Sequence, residues 1–364
     1  MIRRSAHTIW PALLAGLVST AGCGKPSANP TRPTPAGTPS AATTPASAAN
    51  VRYEDVTDAA GIRFTHHNSR TDKKYLIEIM GSGGGFVDFD NDGWLDVVLV
   101  DCRPLPGGKR DGTPGARLYR NNRDRTFTDV TRGSGLDKLS LYGMGIAAAD
   151  YDGDGKTDLY ISGVLDGGRL LRNTGGFRFT DATARAGVAN PGGWGTSCAW
   201  LDYDKDGKLD LFVANYVKYR TLADDQPCFA GDSQKRIYCI PSAYEGTSCR
   251  LYRNRGDGTF SDETDASGIG ASKGKSLGVT VWDIDGDGWS DIFVANDTTP
   301  GYLFHNQKNG KFQEIGVEAG VAYSDSGIPH SGMGIDTGDV LNNGKTALLI
   351  TNYYGQETNL YHQV

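Results

Sequence analysis

The sequence predicts an all-β protein made of repeated four-stranded antiparallel units, and three observations carry this. Glycine supplies 50 of the 364 residues, and long alanine- and leucine-rich helical stretches are scarce; this composition suits many short strands joined by tight turns. A motif Phe-x-Asp-x-Thr, followed by Ala/Ser-Gly and an apolar residue, returns along the chain. A second motif, Asp-x-Asp-x-Asp-Gly-x-x-Asp ahead of an apolar run, returns with it. Four-stranded units repeated radially describe a β-propeller.

Residues 1–23 precede the repeats and read as an export signal. Arg3 and Arg4 give a short positive start, and Ile9 to Val18 is an apolar core of signal-peptide length. Ser19-Thr20-Ala21-Gly22-Cys23 resembles the lipobox of bacterial lipoproteins, which implies lipidation of Cys23 as the first mature residue. Thr20 stands where that motif usually has Leu, and an ordinary signal peptide cut nearby is the other reading. Residues 24–50 are rich in Pro, Ala, Ser and Thr and too polar to bury a core; they read as a disordered linker. No later segment is apolar enough to span a membrane.

From residue 51 onward the repeats take over. The first motif occurs at Tyr53–Ile62, Phe127–Leu136, Phe179–Val188 and Phe260–Ile269, with a looser copy at Phe312–Val321. The second begins at Asp88, Asp150, Asp202 and Asp283, with a degraded copy at Asp339. A third, Leu-Tyr-Arg-Asn, lies at Leu118–Asn121 and Leu251–Asn254, with variants at Leu170–Asn173, Leu303–Asn306 and Asn359–His362. Each unit reads as a Gly-rich inner strand, the acidic loop, an apolar strand such as Val97–Val100, the Leu-Tyr-Arg-Asn strand, and a fourth strand at Phe-x-Asp. The stretch 53–62 is then a fourth strand with no preceding three, and 333–362 supplies three strands with no fourth. If the first completes the second, the ring closes with five blades.

These units resemble FG-GAP/VCBS repeats, the repeats of integrin α-subunit propellers. Ala60-Gly61-Ile62-x-Phe64-x-His66, Val294-Ala295-Asn296-Asp297-x-x-Pro300 and Gly332-Met333-Gly334-Ile335-Asp336 resemble bacterial relatives of the cartilage acidic protein family, whose members often carry an ASPIC/UnbV domain. The resemblance covers residues 51–362 and implies one propeller domain over 51–364. Family members are usually longer, with about seven blades, so a truncated seven-bladed propeller is the alternative to a five-bladed one.

The acidic loops point to metal. In Asp88-Phe89-Asp90-Asn91-Asp92-Gly93-Trp94-Leu95-Asp96, carboxylates at alternate positions of a tight turn converge, and Gly at the sixth position permits a positive φ. The candidate ligands are Asp88, Asp90, Asp92 and Asp96; Asp150, Asp152, Asp154 and Asp158; Asp202, Asp204, Asp206 and Asp210; and Asp283, Asp285, Asp287 and Asp291. Oxygen-only ligation suits Ca²⁺ before Mg²⁺. Four like charges in one loop repel unless a cation or protons intervene, so about four calcium sites are expected. Position 12 of the first loop is Leu99, not the Glu of an EF-hand. The fifth loop has Leu341 and Ala347 in place of carboxylates and is expected to bind weakly or not at all.

Of the remaining cysteines, Cys228 and Cys239 flank a polar insertion over 218–248 and are expected to pair in an oxidising compartment. Cys198 reads as a buried thiol, and a Cys102–Cys249 pair is left open. Gly81–Gly85 lacks the spacing of a phosphate loop. His66, His67 and Glu78 form no recognised metal motif, and His330 reads as a turn residue. Trp94, Trp194, Trp200, Trp282 and Trp289 recur beside the acidic loops, as packing residues or as a sugar platform.

A formal net charge of −6 with scattered basic residues excludes nucleic acid as the main partner. No catalytic constellation has local support. The expected function is therefore a calcium-binding, exported adhesion or scaffolding module. It would sit in the periplasm or at the cell surface, touch the membrane only through a lipid anchor at Cys23, and bind a protein or polysaccharide. The alternative is a carbohydrate-active enzyme, a glycosidase or lyase.

Overall fold

The computed structural model describes residues 52–106 and 115–363. The expected signal 1–23, linker 24–50 and Cys23 lie outside the described residues. The chain separates into Met1–Glu54 and Asp55–Val364, and the strands of the described residues lie in the second part. Among the described residues no helix is long and apolar enough to cross a membrane.

Four sheets have four strands each. The first is β1 (Gly84–Val87), β2 (Asp96–Val100), β3 (Ala116–Asn121) and β4 (Phe127–Asp129). The second is β5 (Tyr142–Ala149), β6 (Asp158–Val164), β7 (Arg169–Gly175) and β8 (Arg178–Asp181). The third begins with β9 (Gly195–Leu201) and β10 (Asp210–Asn215), then is interrupted by a two-stranded ribbon of β11 (Cys228–Phe229) and β12 (Arg236–Ile237). It resumes with β13 (Arg250–Asn254) and β14 (Phe260–Asp262). The fourth is β15 (Ser276–Trp282), β16 (Asp291–Asn296), β17 (Tyr302–Asn306) and β18 (Phe312–Glu314). The last has three strands, β19 (Gly332–Gly338), β20 (Ala347–Asn352) and β21 (Asn359–His362).

The motifs explain why each sheet forms. In Phe-x-Asp-x-Thr the Asp caps its own turn, as in Asp181 Oδ1 accepting from Thr183 N at 2.9 Å. The Thr hydroxyl then accepts a backbone N–H of the third strand, Leu118 N to Thr131 Oγ1 at 2.9 Å and Leu170 N to Thr183 Oγ1 at 2.9 Å. The polar motif thus ties the end of one repeat to its own third strand, where an unpaired buried N–H would be costly.

Consecutive sheets pack face to face. Val98, Val100 and Leu118 of the first sheet meet Leu159, Ile161 and Leu171 of the second. Tyr160 and Leu170 meet Leu211, Val213 and Tyr252 of the third, and the pattern continues through Phe212 and Leu251 to Phe293 and Leu303. The second strands of the second, third and fourth sheets are buried on both faces, which is why they read as continuous apolar runs rather than alternating ones. A further aromatic core, Tyr142, Trp194, Tyr216, Tyr219 and Tyr244, lies at the end of the sheets away from the acidic loops.

The closed β-propeller, five-bladed or as a truncated seven-bladed ring, is corrected by this topology. Among the described residues there are six separate antiparallel sheets, and none closes on itself or joins the first to the last. Residues 53–62 form no strand. This segment is tied to the first sheet instead, through Phe127 N donating to Ala60 O at 2.8 Å and Tyr119 OH donating to Arg63 O at 2.8 Å. The repeat motifs specify each sheet and its contact with the next sheet in sequence. Closure needs a pairing between opposite ends of the chain, and no local motif supplies it.

Each junction between sheets carries one amide. Asn173 Nδ2 donates to Phe89 O of the preceding acidic loop at 2.9 Å, Asn254 Nδ2 to Tyr151 O at 2.8 Å, and Asn306 Nδ2 to Tyr203 O at 2.8 Å. In the last sheet Gln363 Nε2 reaches Ile284 O at 2.7 Å. Asn254→Ala is expected to lower the unfolding free energy by about 2 kcal/mol, because two buried carbonyls lose their donor. Urea unfolding monitored by tryptophan fluorescence measures this; an unchanged midpoint would remove the amide from the account of sheet packing.

Candidate metal centres

The acidic loops are the β1–β2 turn and its counterparts in the later sheets, and one scaffold holds all five. The first Asp accepts the backbone N–H groups of the fifth and sixth residues. In the first loop these are Asp92 N to Asp88 Oδ1 at 3.1 Å and Gly93 N to Asp88 Oδ2 at 2.8 Å. The same pair recurs on Asp150, Asp202, Asp283 and Asp339. The sixth residue is Gly with positive φ throughout: Gly93, Gly155, Gly207, Gly288 and Gly344. The fourth is left-handed as well, and there Asn91, Lys205 and Asn342 adopt what Gly153 and Gly286 adopt freely.

The ninth-position carboxylates do something the sequence did not announce. Asp96, Asp158, Asp210 and Asp291 are buried. Each uses one oxygen for a backbone N–H of its own loop and the other for the Asn of the third strand. Asp158 Oδ2 accepts from Tyr151 N at 3.3 Å and Oδ1 from Asn173 N at 2.7 Å. Asp210 does the same with Tyr203 N at 3.2 Å and Asn254 N at 2.8 Å. Burial pushes the carboxyls of Asp158 and Asp210 up to about 7, and those of Asp96 and Asp291 are raised for the same reason.

Four groups bring three carboxylate oxygens within 4.8 Å of one another: Asp88, Asp90 and Asp96; Asp150, Asp152 and Asp158; Asp202, Asp204 and Asp206; and Asp283, Asp285 and Asp291. Three of the four expected ligands thus converge in each loop. The one left out is Asp92, Asp154 or Asp287 in three loops and Asp210 in the other. Asp92 is held down by its hydrogen bond to Arg123, Asp154 by Lys156 and Asp287 by Lys308. The third-position carboxylates meet a cation from the third strand: Asp90 with Arg120 at 3.2 Å, Asp152 with Arg172 at 2.5 Å and Asp204 with Arg253 at 2.6 Å. In the fourth loop His305 stands in that place, 3.9 Å from Asp285. Asp90 Oδ1 is buried with no hydrogen-bond partner. A donor set of carboxylate oxygens on a rigid turn, with one oxygen left over, fits a hard divalent cation. In the fifth loop Leu341 is exposed and Ala347 buried, and no such trio forms there among the described residues.

The FG-GAP-like repeat model matches residues 88–161, 150–213, 231–294 and 283–350; three matches run from one acidic loop through the apolar strand that follows the next loop, and the one at 231–294 starts in the insertion. The chain belongs to the FG-GAP-like repeat family. It is similar to cartilage acidic protein 1 of Xenopus tropicalis, 27% identical over 183 residues covering 49% of this chain and 24% of that protein. It is also similar to that of Mus musculus, 29% identical over 225 residues covering 58% and 31%. The matched stretches therefore span about a quarter to a third of those relatives. Two solved structures are similar at low levels. One is an Agrocybe aegerita lectin described as recognising non-reducing terminal N-acetylglucosamine, with TM-score 0.33 and 15% identity over 78% of this chain and 80% of that one. The other is the V. cholerae biofilm matrix protein Bap1, with TM-score 0.37 and 14% identity over 74% of this chain and 35% of that one.

The other candidates of this FG-GAP chain fall elsewhere. Cys228 and Cys239 are bonded, with Cα atoms 5.3 Å apart. Cys198 and Cys249 are buried thiols, the latter 3.3 Å from Ser276 Oγ. The insertion they belong near is not simply an exposed loop. It packs on residues 66–80: Asp225 Oδ1 accepts from Leu76 N at 2.9 Å, Asp225 Oδ2 from Arg236 Nη2 at 3.0 Å, and Glu78 Oε2 from Tyr238 OH at 3.0 Å. His66 pairs with Ser82 Oγ at 3.1 Å and His67 with Asp101 at 2.9 Å, so the two histidines and Glu78 do not converge. Gly84 and Gly85 open β1, and His330 Nε2 is buried without a hydrogen-bond partner. Trp194 is in the aromatic core, Trp200 stacks on Tyr151, and Trp94 and Trp282 are exposed.

Ligand and scaffold positions can be separated. Asp210→Ala is expected to cost about 2–3 kcal/mol in chelator and in divalent cation alike, because it stands outside its loop's trio and two backbone N–H groups lose their acceptor. Asp152→Ala is expected to cost about 1 kcal/mol in chelator, where it removes the ion pair to Arg172 and a 3.3 Å hydrogen bond from Asp154 N, and to reduce the cation-dependent gain. Thermal unfolding of both variants in both conditions checks this.

Proposed function

We propose that this chain is a calcium-binding, exported adhesion or scaffolding module whose acidic loops hold about four Ca²⁺ ions. The observation that carries it is the fourfold recurrence of three carboxylate oxygens within 4.8 Å on one loop scaffold. Extracellular Ca²⁺ modules bind at roughly 10⁻⁴–10⁻³ M, which suits an exported protein. The apolar run and Cys23 at the chain start support export, with a lipid anchor to the cell envelope.

Two clefts beside the loops support a polysaccharide as the ligand class. One, of about 470 Å³, is lined by Tyr203, Asp204, Arg253, Glu263, Trp289 and Lys308. The other, of about 510 Å³, is lined by Tyr151, Asp152, Arg172, Asp181 and Arg185. Each joins an aromatic ring to charged groups, and each includes a third-position Asp with its Arg. This mixture of flat apolar surface and convergent polar groups suits a sugar. The likeness to cartilage acidic protein 1 is in keeping with a binding role. The competing function is a carbohydrate-active enzyme acting in the same clefts.

The melting temperature is expected to rise by about 5 °C or more at saturating Ca²⁺ relative to chelator, since binding at 100 times Kd adds about 2.7 kcal/mol per site. Equal melting temperatures would remove calcium from the loops. A polysaccharide array read for both retention and released sugar separates the functions: saturable retention alone supports the module, and turnover supports the enzyme.

A further inference from the structure

We propose that the cleft between the third and fourth sheets binds an acidic polysaccharide, and that Arg253 makes this binding depend on calcium. Arg253 is held by the third acidic loop while the loop's carboxylates are bare, and it turns to an anionic group of the ligand once they ligate a cation. This rests on the calcium reading above and adds to it the charge of the ligand and a coupling between the two sites.

Arg253 stands on β13 and reaches across the loop. Its Nε donates to Asp204 Oδ2 at 2.6 Å and its Nη2 to Asp206 Oδ2 at 3.3 Å. With Asp202, these two carboxylates are the convergent trio of this loop. Both partners of the guanidinium are therefore candidate cation ligands. In the second loop the counterpart Arg172 bridges Asp152 and Asp154, and only Asp152 belongs to the trio. The Arg253 side chain is 45% exposed, so its ion pairs are weak and it can swing without disturbing a core. Carboxylates whose charge is answered by a divalent cation hold a guanidinium less strongly. Arg253 also lines the cleft of about 470 Å³, so its release adds a fork of donors there that suits a carboxylate or sulfate.

The other charges of the cleft favour the same ligand. Lys311 lines it and makes no ion pair among the described residues. Lys205 Nζ lies 4.6 Å over the ring of Trp289, which forms part of the wall. Lys308 is paired with Asp287 at 2.8 Å. Once Asp204 and Asp206 are answered by a cation, Arg253, Lys205 and Lys311 outnumber Glu263. Tyr203 and Trp289 supply flat apolar surface for a sugar ring. A neutral sugar would use the rings and leave the basic groups unanswered. Because the coupling is reciprocal, bound polysaccharide also tightens calcium binding by the same factor.

The test uses the full chain and a hyaluronan octasaccharide, an acidic probe that calcium does not gel. Calorimetry is expected to show binding about tenfold tighter in saturating Ca²⁺ than in chelator. Arg253→Ala is expected to abolish that difference while the calcium-dependent rise in melting temperature remains. Asp204→Asn with Asp206→Asn keeps the side-chain oxygens that accept from Asp206 N and Lys208 N, and circular dichroism checks that it folds. It frees Arg253 without calcium and is expected to bind the probe in chelator as tightly as the unaltered chain does in Ca²⁺. A melting temperature indifferent to Ca²⁺ removes the calcium reading and the coupling together. A calcium-dependent melt with probe binding that is absent, or that chelator does not weaken, overturns the present proposal alone. A neutral chitin octasaccharide or an oligoglutamate that binds as tightly overturns the assignment of an acidic polysaccharide.

Discussion

Asp158 accepts the N–H of Tyr151 with one oxygen and the N–H of Asn173 with the other, and the side chain of Asn173 reaches back to Phe89 O in the preceding loop. Phe89 N in turn donates to Asp96. The same steps repeat through Tyr151, Asn254 and Asp210, through Tyr203, Asn306 and Asp291, and end at Ile284 O with Gln363. One hydrogen-bonded path therefore runs through four acidic loops and the sheets between them. A buried carboxylate is costly unless its lone pairs are filled. Here filling them orients the loop, the third strand and the amide that grips the neighbouring sheet.

This path explains why the acidic loops and the packing of the sheets are parts of one design. In three loops the ninth carboxylate is one of the three convergent oxygens of a candidate cation site, and in all four it is also the anchor of the third strand. Desolvation raises its affinity for a proton, and either a proton or a cation relieves the same electrostatic strain. The guanidinium groups of Arg120, Arg172 and Arg253 answer the third-position carboxylates from the rim. They are exposed ion pairs of small worth, and a divalent ion at the loop competes for the same oxygens.

Much of the local structure was legible in the sequence. The repeats located the sheets, the sixth-position glycines predicted the turn, and the spacing of Cys228 and Cys239 predicted their bond, because each is a short-range consequence of residue type. What was not legible depends on residues distant in the chain. Nothing local marks the fourth loop position as left-handed when it is Asn or Lys. Nothing marks Asp225 and Glu78 as the polar centre of a cap built from residues 66–80 and the insertion. Ring closure was inferred from strand arithmetic alone. Arithmetic counts strands but cannot tell whether a terminal segment turns toward the last sheet or, as Ala60 and Arg63 do, lies on the first.

The degraded fifth loop separates two roles that coincide elsewhere. Asp339 still accepts from Asn343 N and Gly344 N, so the turn is shaped by its first, fifth and sixth positions and not by the full set of acids. Where Ala347 replaces the ninth carboxylate, the residue paired across from it is His362, in the place of Arg172, Arg253 and His305, and the Asn place that follows is taken by Gln363. The acid and the Asn that it would hold are lost together, as expected if each is buried only because the other satisfies it. The grip on the preceding loop is nonetheless kept, by Gln363 in the place of that Asn. The cross-sheet amide is thus needed wherever a sheet rests on another. The carboxylates are kept only in the four loops where they converge, and a purely structural account of the loop gives no reason for that difference.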